Sequence, residues 1–248
     1  MLGQISVIIL TKNSERHLEA VLDALKRFQE VIIVDNGSKD NSLEIAQSFE
    51  NVKIFERDFI GFGPLKRYAT SLTKNDWVLS IDSDEIVGSD LVDEIERLEC
   101  DNHTVYAIQR DNYYKTKLMK CCTWDNDYVL RLFNKNFVSF NEKKVHESLM
   151  VNDVSVVKLK HTMKHYTSQS IEELISKMQH YSTLYAQEHK GVKRSSVAKA
   201  VFRAFFAFMK SYFFQRGIAY GYEGLVISVS NANGVFYKYM KLLEENKL

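Results

Sequence analysis

The first hundred residues alternate between short apolar runs and amphipathic stretches. Residues 5–10 (ISVIIL) are continuously apolar and rich in β-branched side chains, the pattern of a strand buried on both faces. Asn13 or Ser14 then caps a predicted helix to about Phe28, with Leu18, Val21, Leu22 and Leu25 at helical spacing. Residues 31–34 (VIIV) predict a second buried strand, ending in Asp35-Asn36-Gly37-Ser38. Asn41 and Ser42 open another helix, and residues 52–55 predict a third strand. A helix over 65–73 follows. Residues 77–81 (WVLSI) then run as a strand into Asp82-Ser83-Asp84-Glu85. Strand and helix alternating at this spacing predict a βαβ-type, mostly parallel sheet.

The pattern changes after about residue 100. Residues 105–109, 128–133 and 154–159 read as strands with no helices between them, so the sheet is expected to be mixed. From Ser170 the chain turns helical, over 171–189, 197–215 and 224–243. No segment offers the roughly 18 uncharged apolar residues of a membrane span. The nearest, 197–214, is broken by Lys199, Arg203 and Lys210. The apolar run near the amino terminus lacks the basic flank and cleavage site of a signal peptide and reads as the first strand.

Composition narrows the class. The 248 residues carry 33 Lys+Arg against 32 Asp+Glu, a formal charge of +1, and 45% are hydrophobic. A core is affordable, and a dedicated nucleic-acid binder is not expected, because neutralising many phosphates needs a basic excess. One proline and ten glycines exclude a disordered or collagen-like chain. Cys100, Cys121 and Cys122 are too few and wrongly spaced for a disulfide framework or a zinc cluster, which fits a reducing, cytoplasmic setting.

In an open α/β sheet, ligands bind at the carboxyl ends of the strands. There this sequence places Thr11-Lys12-Asn13, Asp35 and Asp82-x-Asp84. The first loop has no glycine pair, so the G-x-G-x-x-G cradle of a dinucleotide is missing where it would have to stand. Gly61-Phe62-Gly63 comes too late to replace it, and no Walker-type loop exists. A diphosphate bound without such a cradle needs another neutraliser. An Asp-x-Asp at the end of a buried strand is suited to hold a divalent cation and a ribose hydroxyl.

Residues 32–42 (IIVDNGSKDNS) resemble the VVDNGSTD-S segment of family 2 glycosyltransferases, inverting enzymes of the GT-A fold. Thr11-Lys12-Asn13, the 61–67 stretch and residues 77–85 (WVLSIDSDE) match that family in order and spacing. Residues 124–133 (WDNDYVLRLF) and Val145-His146-Glu147 resemble bacterial lipopolysaccharide core β-glycosyltransferases, which add a sugar, often glucose, to a heptose. The resemblance implies a Rossmann-like, mixed and mostly parallel α/β sheet flanked by helices. Residues 1–170 would be the catalytic domain, with 1–100 the nucleotide-sugar half and 101–170 the acceptor half. Residues 171–248 would be a C-terminal helical region.

It further implies a UDP-sugar donor, a saccharide or glycolipid acceptor, and Mg²⁺ or Mn²⁺ as cofactor. Asp35 would meet the base, Thr11 and Asn13 would line base and ribose, Asp82 would approach the ribose, and Asp84 would ligate the metal. Lys66 or Arg67 would meet phosphate or lock the aspartate loops; adjacent on one helix, they cannot both face the site. Arg131 would bind diphosphate or orient a carboxylate, and Trp124 would stack on sugar. Glu147 is the expected general base, with Asp127 and Asp125 as alternatives. A sugar nucleotidyltransferase would want a Gly-rich basic loop after the first strand, which is absent. A nucleotide-sugar-binding module without turnover would not need the acid-rich second half.

In the helix over 197–215, Lys199, Arg203 and Lys210 fall within roughly 40° of one another on a helical wheel. Phe202, Phe205, Phe206, Phe208, Met209, Tyr212 and Phe213 fill an adjoining arc. One reading is an interfacial helix on anionic lipid at the inner face of the cytoplasmic membrane. The other is a helix packed on the catalytic domain or on a second subunit of a homo-oligomer.

Overall fold

A computed structural model describes residues 1–143 and 147–248. It divides into two compact units, Met1–Arg110 with Tyr128–His165, and Asp111–Asp127 with Tyr166–Leu248.

The first unit opens as the apolar periodicity predicts, with β1 (Ile5–Thr11), α1 (Glu15–Ala24), β2 (Glu30–Asp35), α2 (Ser42–Gln47), β3 (Val52–Glu56), α3 (Phe62–Ser71) and β4 (Trp77–Asp82). The strands β5 (Glu85–Val87), β6 (Thr104–Tyr114), β7 (Lys117–Leu118), β8 (Asp127–Asn134) and β9 (Ser155–Ser168) follow, with α4 (Ser89–Arg97) after β5; β7 and the ends of β6, β8 and β9 belong to the second unit. The sheet order is β3-β2-β1-β4-β8-β6-β9-β5, with β7 paired to β6. β3, β2, β1 and β4 are parallel, whereas β8 runs antiparallel to β4 and β5 antiparallel to β9. The sheet is therefore mixed.

Both faces of β1, β2 and β4 are buried, which is why their sequences show little polar alternation, whereas the edge strand β3 exposes Lys53 and Glu56. Ile5, Val7 and Ile9 pack with Leu18 and Leu22 of α1 and Leu91 and Ile95 of α4. Ile8, Ile32 and Val78 face the other way, onto Leu65 and Ala69 of α3. β5 and α4 go beyond the elements expected from the sequence. Leu91, Val92 and Ile95 have helical spacing, but they sit among four acidic residues and only one short apolar stripe marks them.

The second unit holds α5 (Ile171–His189), α6 (Val197–Met209) and α7 (Gly221–Glu245). Ser170 and Ser196 cap α5 and α6, each accepting from a backbone N–H three residues on. The expected continuous helix to residue 215 instead ends at Met209 and passes into a π-helical turn, Lys210–Phe214. Its extra residue per turn is visible in Gln215 N–H, which reaches back five residues to the Lys210 carbonyl. Gly217 and Gly224 then let two backbones touch: a Cβ on Gly224 would lie 1.9 Å from the Gly217 carbonyl oxygen. Cys121 and Cys122 are buried free thiols packed with Tyr114, Met119 and Ile227. Among the described residues no helix is long and apolar enough to cross a membrane.

Candidate active site

Strand register brings the candidate loops together. Thr11 pairs with Asp35 across β1 and β2, and Leu10 with Asp82 across β1 and β4. The chain leaves β1 towards β2 on one side and returns in β4 on the other, so this edge is a topological switch point, where open α/β sheets bind ligands. Side chains fuse the loops. Ser14 Oγ donates to Ser83 Oγ at 2.9 Å. Asn13 sits at φ 51°, in the left-handed region that asparagine tolerates. From there its N–H reaches Ser38 Oγ at 2.9 Å and its Oδ1 accepts from Lys39 N–H at 2.8 Å.

Asp35 is buried and accepts four hydrogen bonds. Thr11 Oγ1 and Ser38 Oγ donate to Oδ1 at 3.0 and 2.5 Å, and the N–H groups of Gly37 and Ser38 donate to Oδ2 at 2.9 Å. That fills the acceptor capacity of a carboxylate. In this geometry Asp35 organises the loop whose backbone and Asn13 side chain border the edge.

A chain of opposite charges crosses the floor of the site. Lys66, on α3 and almost wholly buried, places Nζ 2.9 Å from Asp82 Oδ1 and 3.0 Å from Glu147 Oε1. Arg131, buried on β8, reaches Asp82 Oδ2 at 2.5 Å and also pairs with Glu85, which has no solvent exposure. Arg110 approaches Glu85 Oε1 at 3.4 Å, and Asp82 N–H donates to Glu85 Oε2 at 3.0 Å. Burial alone would raise the Asp82 carboxyl. Arg131 and Lys66 outweigh that and hold it well below the usual carboxylate range. Burial likewise opposes charge on Arg131, and the two carboxylates reverse the effect. Among the described residues Arg131 Nε, which is buried, has no hydrogen-bond partner. Lys66, Asp82, Arg110 and Arg131 line a cavity of about 270 Å³ that also includes Glu147 and Phe140. The cavity therefore presents Lys66, Arg110 and Arg131 to a ligand, a set suited to an anion.

Arg67 takes no part in this lattice. It is exposed and pairs with Glu142 at 2.8 Å, because successive helix positions point about 100° apart and Lys66 takes the inward one. Asp84, about a third exposed, lies 3.6 Å from His165 Nε2, whose strand register with β5 sets it opposite Glu85. Among the described residues no three His, Cys, Asp or Glu side chains converge as a metal cluster. One carboxylate, an adjacent imidazole and open solvent suit a hard cation that takes most of its ligands from phosphate oxygens and water. Trp124 and Asp127 belong to the second unit, where Asn112 Nδ2 donates to the Trp124 carbonyl and to Asp127 Oδ2, each at 2.9 Å. Val145 and His146 lie outside the described residues.

The model of glycosyl transferase family 2 matches residues 6–146, more than half of the chain and every carboxyl-edge loop above. The chain belongs to this family. An uncharacterized glycosyltransferase of Rickettsia typhi is 31% identical over 97% of this chain and 87% of its own length. The lipopolysaccharide core biosynthesis glycosyltransferase LpsC of Rhizobium meliloti is 23% identical, over 98% of this chain and 93% of its own. Among solved structures, S. aureus TarS 1-349 in complex with UDP-GlcNAc superposes with a TM-score of 0.50 at 14% identity, covering 98% of this chain and 89% of that one. The fold is GT-A.

In this glycosyltransferase the charged cluster also contains residues that the motifs alone do not single out. Glu85 and Arg110 complete the charge lattice, and His165 stands beside Asp84. Glu85 follows the Asp-x-Asp triplet directly, a signal that could have marked it. Arg110 and His165 arrive from β6 and β9, and their place depends on long-range pairing that a linear pattern does not carry.

Proposed function

We propose that this glycosyltransferase transfers a hexose, glucose or one similar, from a UDP-sugar to a saccharide or glycolipid acceptor with inversion. A surface glycan such as the lipopolysaccharide core is the acceptor class that the relationship to LpsC suggests. The observation that carries this reading is the cavity at the switch point, where Glu147 and a run of buried cations share one wall. Thr11, Asn13 and the Asp35-held loop receive base and ribose. Lys66, rather than Arg67, faces the diphosphate together with Arg131, whose unpartnered Nε can donate to an anionic oxygen. Asp84, with His165 beside it, holds Mg²⁺ or Mn²⁺, which when bound offsets the charge of the leaving diphosphate. Glu147 takes the proton of the acceptor hydroxyl as its oxygen bonds to the anomeric carbon and UDP departs from the opposite face.

A thermal-shift screen of nucleotide sugars with and without Mn²⁺ tests the reading. A donor at a hundred times its Kd stabilises by about 2.7 kcal/mol, or about 5–10 °C for a chain of this size. The expected hit is a UDP-sugar whose shift grows with Mn²⁺. Equal shifts for all nucleotides, or none, would contradict it.

A further inference from the structure

The charge of this chain is unevenly spread. Residues 189–222 contain seven Lys or Arg and no Asp or Glu, while the remainder has 26 basic against 32 acidic residues, a formal −6. The basic stretch covers α6 and the π-helical turn, and it carries a bare aromatic surface. Ala200 and Ser211 face inward, while Phe202 (70% exposed), Phe205, Phe206 and Phe214 (78% exposed) face solvent. At about 100° per residue, Val201, Phe205, Met209, Phe202 and Phe206 span an arc of about 140°. Lys199, Lys210 and Arg203 continue directly from its edge.

Three cations crowd a single tyrosine where this edge meets α7. Lys199 Nζ, Lys238 Nζ and the Arg203 guanidinium stand 5.2, 5.4 and 5.7 Å from the centre of the largely buried Tyr239 ring. Among the described residues no carboxylate pairs with any of the three. Like charges gathered without a counter-ion repel one another, and the ring's quadrupole offsets only part of that. They border a groove of about 580 Å³ whose walls include Phe202, Phe206 and Val235. Positive charge at the rim and apolar walls below match the two ends of an anionic amphiphile.

We propose that the α6–α7 groove is an anionic-lipid site, holding a phosphate headgroup at Lys199, Arg203 and Lys238 and an acyl segment along Phe202 and Phe206. The occupant is the anionic membrane surface itself: the face has no acidic residue to pair with a basic protein partner, and its outward phenylalanines need an apolar medium. The site lies within the second unit and stands independently of the transfer reaction. On the proposed function, it would bring the enzyme to lipid-borne acceptors.

Co-sedimentation of the full chain with phosphatidylcholine vesicles, with and without phosphatidylglycerol, tests this at low and high salt. Wild type should sediment with the anionic vesicles at low salt and be released at high salt. Each cation near such a surface contributes about fivefold, so Lys199→Gln with Arg203→Gln and Lys238→Gln should weaken binding by about two orders of magnitude. The single change Lys238→Gln should cost about fivefold, and serves if the triple variant does not fold. Phe202→Ser with Phe206→Ser should weaken binding while keeping its salt dependence. Absence of wild-type sedimentation at low salt, or equal binding by all variants, would overturn the site. So would a self-associated wild type, by analytical ultracentrifugation, that the same changes convert to monomer without any vesicle binding.

Discussion

Lys66→Met removes the one cation among the described residues that touches both Asp82 and Glu147, and keeps most of the buried stem. Breaking a wholly buried pair costs about 3–5 kcal/mol because a charge is left uncompensated. Here Asp82 is 34% and Glu147 22% exposed at the side chain, and Arg131 still holds Asp82, so solvent and Arg131 recover part of that. The expected loss at neutral pH is about 2–3 kcal/mol, or about 5–10 °C in Tm. The pH dependence has a definite sign. The folded Asp82 carboxyl lies below its ordinary value of 3.8, so its stabilisation is present above that value and is lost as pH falls below it. Without Lys66 the folded carboxyl rises towards the ordinary value, and less is left to lose. The deficit of the variant should therefore shrink as pH drops below about 4. Urea unfolding followed by Trp77 fluorescence, in a Trp124→Phe background at neutral and acid pH, measures it. A deficit under about 0.5 kcal/mol, or one that grows on acidification, would refute the reasoning.

Other perturbations separate the loops. Asp35→Ala should strip the acceptors from Thr11, Gly37 and Ser38, cost about 1–3 kcal/mol, and weaken UDP binding even without metal; equal weakening for pyrophosphate by calorimetry would deny a base-side role. Asp84→Ala should abolish the Mn²⁺ enhancement of UDP affinity while leaving metal-free binding and Tm unchanged; surviving enhancement would reassign the metal. In Gly63→Ala the new Cβ would lie 2.2 Å from the Asn141 carbonyl oxygen, a backbone atom that cannot swing aside. A destabilisation of about 2 kcal/mol or more is expected by urea titration, and a Tm equal to wild type would show that the backbone at Asn141 and Lys143 yields freely.

The parallel half of the fold was legible in the sequence because β1, β2 and β4 are short, mostly apolar and closed by turn residues. Ile5 and Trp77 open their strands where the periodicity places them, β2 starts one residue before Val31, and the three ligand-edge loops follow directly. β5 and α4 were not legible: three residues make the strand, and Leu91, Val92 and Ile95 are outnumbered by acids. The π-helical turn escaped because an apolar stripe reads alike at 3.6 and at slightly more residues per turn. At the site, sequence named the carboxylates but not their wiring. Lys66 and Arg67 are chemically equivalent on paper, and only the orientation of α3 on the sheet decides between them. That Asp35 spends its lone pairs on its own loop is a matter of turn geometry, which composition and spacing do not convey.

The central claim is that this cavity activates a UDP-sugar and that Glu147 removes the proton from the attacking hydroxyl. Water can replace the acceptor, so the direct measurement is UDP release from UDP-glucose and related UDP-sugars with Mn²⁺, on wild type and on Glu147→Gln. The substitution keeps shape and donor binding and removes the basic oxygen. Wild type should release UDP slowly, and the variant should do so about two to four orders of magnitude more slowly at unchanged donor affinity. Donor binding without UDP release in wild type, or release at the wild-type rate by the variant, would contradict the account.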